Sequence, residues 1–489
     1  MNLCNINHSF NYELEKLCRI FLPFEKINIL ETEVKDETYA VCSLNEDKTK
    51  ASATLFIGEK LYGCNRVLKE TDPKAQEYAL ASCLFNCFVK ATGYNPPWGL
   101  LTGVRPVKLY SKLNKVLGSM ETDKYFREKL FVNDEKVALC RETLTPEENI
   151  IEINSPNSFS LYVSIPFCPS RCSYCSFVSH SVEKAGKLIE DYVKLLCREI
   201  AITGRIVKEQ NLKLETIYIG GGTPTALEAY HLTEIMTAIS RNFDLSNVRE
   251  YTVEAGRPDV TTREKLIAIK KGGATRISIN PQTMNDNVLE AIGRKHTAEQ
   301  MINTFKMARE IGFDNINTDL IAGLPTDTLE SFKNTVEEIL KLDPESVTVH
   351  SLSVKKASNI SIDGNLPEKD KWEATKEMVK FAKDRLTKEG IKPYYMYRQS
   401  KTVGNLENVG YAKEGFEGLY NVYIMDETHT ILACGASGVT KLREPKGDYI
   451  ERIFNFKYPY EYISRFSEMI SRKDRIGEFY DKYPFSNKQ

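Results

Sequence analysis

The sequence predicts an α/β protein: a central parallel sheet with crossover helices, preceded by a small α+β domain and followed by a mixed segment. Three observations predict it. From residue 161 to 351, short apolar strands alternate with longer helical stretches, the grammar of βα units. The first 150 residues instead run apolar, β-branched segments ahead of a long helix. From residue 391 the composition turns to tyrosine-rich and glycine-rich passages.

In chain order, INILETEV (27–34), YAVCSL (39–44) and ASATLFIG (51–58) read as strands, and residues 73–91 as a helix. NPPWGLLTGVRPVKL has the Pro and Gly density of an ordered turn before another helix. TPEENIIEINSPNS reads as a linker near residue 150, closing an N-terminal α+β accessory domain over 1–150. LYVSI (161–165) opens the central domain, assigned to 155–390, and a cysteine loop and a helix over 182–203 follow it. TIYIG (216–220) leads into GGGTPT, and YTVEA (251–255), TRISIN (275–280), NINTDLIAG (315–323) and SVTVHS (346–351) each precede a helical segment. Strands in this order predict a parallel sheet, open or barrel-like, with the chemistry at their C-terminal ends. The last segment, 391–489, begins with PYYMYRQ, continues through a strand pair NVYIM and TILACGA and ends in a helical tail; it reads as a mixed segment that covers one edge of the sheet.

With 489 residues, 42% hydrophobic and 27% charged, the chain has the balance of a globular protein able to bury a substantial core. Its 66 basic and 67 acidic residues leave no basic excess of the kind a phosphate-contacting partner of nucleic acid carries. MNLCNINHSFNYELEKL lacks the basic start and apolar run of a signal peptide. The longest apolar stretch, YALASCLFNCFV (78–89), is short of the roughly 20 residues a bilayer span needs. Twelve cysteines without a secretion signal imply reduced thiols and a cytoplasmic location. Nine of them (Cys4, Cys18, Cys42, Cys64, Cys83, Cys87, Cys140, Cys197 and Cys434) stand singly or in apolar contexts and read as small buried hydrophobes.

The remaining three, Cys168, Cys172 and Cys175, crowd into SIPFCPSRCSYCSFV with the spacing C-x3-C-x2-C. A structural zinc site wants four ligands, commonly in two pairs, and no second pair exists; His180 or Cys197 is the available fourth donor. A redox CxxC uses only Cys172 and Cys175, and inert thiols are the plainest alternative. Three thiolates on a cubane [4Fe–4S] cluster, which ordinarily takes four, leave one iron open to a further ligand. Zinc and inert thiols stay open beside this favoured reading.

The residues C-x3-C-x-Y-C after a strand are similar to the signature of radical S-adenosylmethionine (SAM) enzymes. LYVSIPFCPSRCSYCSF resembles the subgroup that contains the oxygen-independent coproporphyrinogen III oxidases. The resemblance continues through GGGTPT, RISINPQTMND, LEAIGRKHT and NTDLIAGLP, roughly residues 155–445. With the N-terminal domain and PYYMYRQ, the chain is most similar to the HemZ-type coproporphyrinogen dehydrogenases. That resemblance implies a radical SAM core built as a partial (β/α)6 barrel of TIM type, with a C-terminal segment that covers the substrate. It implies a [4Fe–4S] cluster on Cys168, Cys172 and Cys175, SAM on the open iron, and reductive cleavage of SAM to a 5′-deoxyadenosyl radical. The implied reaction is oxidative decarboxylation of coproporphyrinogen III propionates to the vinyl groups of protoporphyrinogen IX in heme biosynthesis. The implied partners are a tetrapyrrole substrate and an electron donor such as flavodoxin or ferredoxin.

Residue by residue, the resemblance places Gly221, Gly222 and Thr223 of GGGTPT at the methionine amino group. It places Glu254, Gln282, Arg294 and Asp319 at the ribose or carboxylate of SAM. Tyr162 and Tyr174 match positions flanking the sulfonium and adenine, and Ser353 and Val439 match later pocket positions. A carboxylate in an apolar strand needs a partner in any case, so a structural hydrogen bond is the alternative for Glu254 and Asp319. No catalytic residue acting on substrate is assigned.

Substrate carboxylates call for bidentate cations. Arg105, Lys401, Arg398, Lys441 and Arg443 are candidates, with ordinary surface charge as the alternative for each. Two positions depart from the oxidase pattern: Phe177 stands where a further cysteine is usual, and Asn408–Val409 precedes Gly-Tyr where a Phe-Gln pair is usual. A decarboxylating enzyme, a heme-binding carrier and an RNA-modifying radical enzyme therefore stay open. The 20 basic and 21 acidic residues of 1–150 count against an RNA module there.

Overall fold

A computed structural model describes residues 1–176, 179–354 and 369–485, so Phe177 lies outside the described residues. The chain divides into two compact units, residues 1–141 with 398–407, and residues 142–397 with 408–489.

The first unit is an α+β layer. Its strands are β1 (Asn2–Ile6), β2 (Asn28–Leu30), β3 (Tyr39–Leu44), β4 (Lys50–Ile57) and β5 (Lys60–Val67), in the order β2-β1-β3-β4-β5. Alternation does the sorting: Ala40, Cys42 and Leu44 on β3 and Ala51, Ala53 and Leu55 on β4 are buried against the helices Asn11–Phe21 and Pro73–Thr92. Asp72 caps the second helix by accepting from the amides of Lys74 and Ala75, Pro73 sits at its first turn, and Gly93 ends it at φ 66°. Six of the nine single cysteines (Cys4, Cys18, Cys42, Cys83, Cys87 and Cys140) are buried in this unit, and Cys64 is half-buried.

Arg398 is the clearest correction here. It is buried, donates to the carbonyls of Leu101 and Gly103 and to Asn405 Oδ1 at 2.8 Å, and lies over the Trp98 ring. A guanidinium committed to carbonyls inside this unit is a structural staple, not a substrate clamp. Nearby, Glu407 accepts from Lys136 Nζ at 2.6 Å and Trp98 Nε1 at 2.8 Å.

The second unit carries an eleven-stranded sheet. Its central strands are β6 (Ser158–Ile165), β9 (Lys213–Gly221), β10 (Glu250–Gly256), β11 (Arg276–Ile279), β12 (Ile316–Ala322) and β13 (Ser346–Ser351). A two-residue pair, β7 (Phe167–Cys168) and β8 (His180–Ser181), lies outside the sheet. The six central strands are parallel and each neighbours the next in sequence. Winding therefore runs in one direction without the reversal of a doubly wound sheet, which is the barrel-type arrangement.

The C-terminal residues extend this sheet at both ends. β14 (Lys392–Arg398) and β15 (Glu407–Ala412) lie beyond β13, with β15 antiparallel to it. β16 (Thr430–Cys434) joins β6 in parallel, followed by the antiparallel β17 (Val439–Arg443) and β18 (Ile450–Phe454). The sheet thus ends at β14 and β18, an open arrangement among the described residues.

Two local expectations fail. NVYIM lies in the helix Leu419–Asp426, not in a strand. A short apolar run fits either state; here Glu250 accepts from the amides of Leu419 and Tyr420 at 2.7 and 3.2 Å and so caps a helix. Residues 145–152, read as linker, continue the helix Asp134–Glu152, in which Glu147 and Ile150 are buried. No helix among the described residues is long and apolar enough to cross a membrane.

Period-two alternation gives the sheet two different faces. Leu161, Val163, Ile217, Ile219, Val253, Ile277 and Ile279 are buried on one. The register sets Tyr162 beside Tyr218, Glu254 beside Ser278, and Asp319 beside Thr348 on the other. One face is apolar core, and the other is polar.

Candidate functional site

The cysteine loop leaves β6 and is stitched to the glycine turn after β9. Gly222 donates its amide to Ile165 O at 2.7 Å, and Thr223 donates to Phe167 O at 2.8 Å. Thr223 Oγ1 lies 3.5 Å from Cys168 Sγ. A Cβ at Gly222 would stand 2.6 Å from Phe167 O and 2.9 Å from Cys168 Sγ. Only glycine allows this approach. Gly221 adds a φ of 112°, a conformation that side chains oppose.

Cys168 and Cys172 are buried and Cys175 is half-buried. The Cys175 amide donates to Cys172 O at 3.1 Å, and Ser173 donates to Ile292 O at 3.0 Å. Arg294 reaches the same loop: its Nη1 donates to Tyr174 OH at 3.0 Å, and its Nη2 to Asn280 O at 2.8 Å. Burial opposes the Arg294 charge, but Tyr174 and Cys172 outweigh it and raise its pKa. Among the described residues no three His, Cys, Asp or Glu side chains converge on a single ion.

Along the polar face the carboxylates have partners. Glu254 accepts from Tyr218 OH at 2.6 Å. Burial pushes its pKa up to about 7, with the Tyr218 bond opposing and Asp319 adding to the rise. Asp319 behaves oppositely: burial would raise it, but His350 and Asn317 hold it below the usual range. Asn317 Nδ2 donates to it at 2.7 Å, and His350 Nε2 stands at 3.9 Å. Gln282 runs beside β12, donating its amide to Asp319 O and accepting from Ile321, both at 3.0 Å. It holds φ at 70°, a costly conformation for a residue other than glycine.

Three tyrosines stack on this face: Tyr218 lies 4.6 Å from Tyr420, and Tyr162 lies 6.2 Å from each. At the other end, Tyr395 occupies the space over Gly410, where a Cβ would run into the ring. Asn408 Oδ1 accepts from the Ser351 amide at 2.9 Å, and Val409 pairs with Val349.

The structure thus brings together Cys168, Gly221, Gly222 and Thr223; separately Cys172, Cys175, Tyr174 and Arg294; and on the polar face Tyr162, Glu254, Gln282 and Asp319. Ser353 follows β13 and Val439 opens β17, where it pairs with Phe454. Val439 follows a clamped turn: the Gly435 amide donates to Glu199 Oε2 at 2.7 Å and Ala436 to Tyr192 OH at 2.8 Å. Of the proposed cations, Lys441 lies 3.9 Å from Glu427, and Arg443 donates its amide to Thr430 Oγ1 at 3.0 Å.

Sequence reasoning missed Tyr218, Tyr420, His350 and Arg257. The first three stand on or against the inward register of strands already recognised, so alternation from Glu254 and Asp319 was a usable signal for Tyr218 and His350. Arg257 has a fainter one, an R-x-D pair directly after a strand end.

A family model of the radical SAM superfamily matches residues 162–339. The oxygen-independent coproporphyrinogen-III oxidase-like protein HemZ of Bacillus subtilis is 37% identical over 391 residues, covering 79% of this chain and 78% of that protein. The chain belongs to this radical SAM family. The family extends to the heme chaperone HemW of Bacillus subtilis, 34% identical over 331 residues, 65% of this chain and 81% of that one. The solved structure of the radical SAM coproporphyrinogen III oxidase HemN of Escherichia coli aligns with a TM-score of 0.52 at 22% identity, covering 67% of this chain and 73% of that one. It shares the fold.

Membership of the radical SAM superfamily implies SAM and a [4Fe–4S] cluster, and the residues present fit both. Three soft sulfur donors share one loop. The glycine turn leaves backbone open beside Cys168 where any Cβ would intrude. Arg257, paired with Asp259, brings a buried guanidinium within 3.9 Å of Cys172 Sγ.

Proposed function

We propose that the protein is a radical SAM enzyme that oxidatively decarboxylates the propionates of coproporphyrinogen III to vinyl groups. The observation that carries this reading is the stitching of the cysteine loop to Gly222 and Thr223 at the strand ends, beside a polar face that holds Glu254 and Asp319. In this reading Cys168, Cys172 and Cys175 hold the cluster. Cluster and SAM together supply a 5′-deoxyadenosyl radical able to remove hydrogen from a propionate β-carbon.

The chain's own residues then bind, orient and exclude water. Gly221, Gly222 and Thr223 present backbone to the amino group of SAM, and Arg294 and Gln282 serve its carboxylate or ribose. Glu254 and Asp319 accept from hydroxyl groups, each already held by a neighbour that fixes its direction. Tyr162 and Tyr174 flank the sulfonium and adenine, with Ser353 and Val439 further along the pocket. Tyr218 and Tyr420 offer aromatic surface to the pyrrole rings of a tetrapyrrole. Each propionate would lose one hydrogen atom to the 5′-deoxyadenosyl radical, then one carbon dioxide and one electron to an external one-electron acceptor; a flavodoxin or ferredoxin in the cytoplasm is the proposed donor of the separate electron that cleaves SAM. Residues 1–141 with 398–407 form an accessory unit.

A second reading, a heme carrier, is supported by the 34% identity to a heme chaperone and by Asn408 and Val409, which depart from the oxidase pattern. Anaerobic incubation of the reconstituted protein with coproporphyrinogen III, SAM and a reductant separates them. Protoporphyrinogen IX, carbon dioxide and 5′-deoxyadenosine forming together support decarboxylation. Stoichiometric heme binding without carbon dioxide release favours the carrier and overturns the first reading.

A further inference from the structure

Arg257 is a buried charge to which the proposed function gives no role of its own. It follows β10 by one residue and is 3% exposed. Its Nε and Nη2 pair with the two carboxylate oxygens of Asp259 at 3.0 and 2.7 Å. That fork fixes the plane of the guanidinium and leaves Nη1 facing the cysteine loop. Nη1 donates to Ser170 Oγ at 2.8 Å and Ser170 O at 3.1 Å, and stands 3.9 Å from Cys172 Sγ. The nearby Arg294 donates to Tyr174 and to the carbonyls of Asn280 and Gly256.

A ligating thiolate is electron-rich, and adding an electron to its cluster increases the negative charge. Donors and positive charge at the sulfur favour the reduced state, and burial strengthens their effect. Asp259 works against this, since its carboxylate offsets the charge it orients. The field at Cys172 is the difference between the two.

We propose that Arg257, oriented by Asp259, raises the reduction potential of the cluster that Cys172 ligates, with Asp259 as the opposing charge. The inference rests on the cluster assignment under the proposed function and not on the identity of the tetrapyrrole. It makes Arg257 a tuning residue, and its readout is a potential rather than turnover.

The test is an EPR-monitored potentiometric titration of the reconstituted full-length protein, with iron measured beforehand. Arg257→Gln should move the potential to more negative values and Asp259→Asn to less negative values. A tenfold change in the reduced-to-oxidised ratio corresponds to about 59 mV for one electron. Opposite shifts of that order support the inference. Unchanged potentials at full iron content, or shifts of the same sign, overturn it. If Arg257→Gln retains no iron, Asp259→Asn alone decides: a less negative potential supports the proposal and an unchanged one overturns it. A wild-type protein that takes up no iron overturns the cluster assignment itself, and this inference with it.

Discussion

Tyr218 and Glu254 face each other from neighbouring parallel strands, with the phenol donating to Glu254 Oε1 at 2.6 Å. The bond gives a buried carboxyl a partner without giving it a countercharge, so burial still holds the pKa of Glu254 up at about 7. A group raised from 4.5 to about 7 favours folding most in its protonated form. That contribution is fully present below pH 4.5 and is lost as pH rises through 7.

Glu254→Gln removes this pH dependence. At about 1.4 kcal/mol per pH unit, the wild type should lose roughly 3 kcal/mol between pH 4.5 and 8 on this account. Urea midpoints of the apoprotein at pH 5 and pH 8 should differ less in the variant than in the wild type. Equal differences would contradict the assignment.

His429 works in the opposite direction. It is stacked on Tyr423 at 3.7 Å, lies 3.0 Å from Ser160 Oγ, and burial lowers its pKa from 6.5 to about 3. Its depressed pKa contributes stability above pH 6.5 that is lost as pH falls toward 3, up to about 5 kcal/mol. His429→Phe should flatten the acid limb of a urea-midpoint profile between pH 6.5 and 4.

Gly222→Ala should displace the cysteine loop, because backbone Phe167 O and the Cys168 thiol occupy the space of the new methyl. We expect a cost of about 1–3 kcal/mol and reduced iron uptake on reconstitution. Gly63→Ala is the control, since a Cβ there meets nothing within 4 Å. Full iron uptake by Gly222→Ala would remove the close approach from the account.

Lys136→Met removes the Lys136 ammonium from the buried Glu407 carboxylate and leaves its bond from Trp98 in place. Breaking a buried pair from one side costs about 3–5 kcal/mol. The double variant with Glu407→Gln should regain much of that loss in urea denaturation.

The βα strands were legible because buried parallel strands are apolar runs ending in glycine or a turn, as in TIYIGG and NTDLIAG. β1 was not, because Asn2 and Asn5 interrupt its apolar pattern while being buried with polar partners. β5 is a sheet edge whose exposed Leu61 and Val67 hide its alternation. NVYIM shows the opposite failure, an apolar run whose state is decided by Glu250 from a distant strand. The cysteine and glycine motifs are contiguous and visible; the pairing of Arg257 with Ser170 arises only when β10 and the cysteine loop meet. Arg398 misled because a charge in sequence says nothing of the carbonyls that receive it.

The central claim is that Cys168, Cys172 and Cys175 leave one coordination position for SAM. The EPR spectrum of the anaerobically reduced, reconstituted protein, recorded with and without SAM, tests it most directly. The account predicts a [4Fe–4S] signal that changes when SAM is added and is lost in Cys168→Ala. A cluster signal unchanged by SAM, or iron content unaffected by Cys168→Ala, would contradict it.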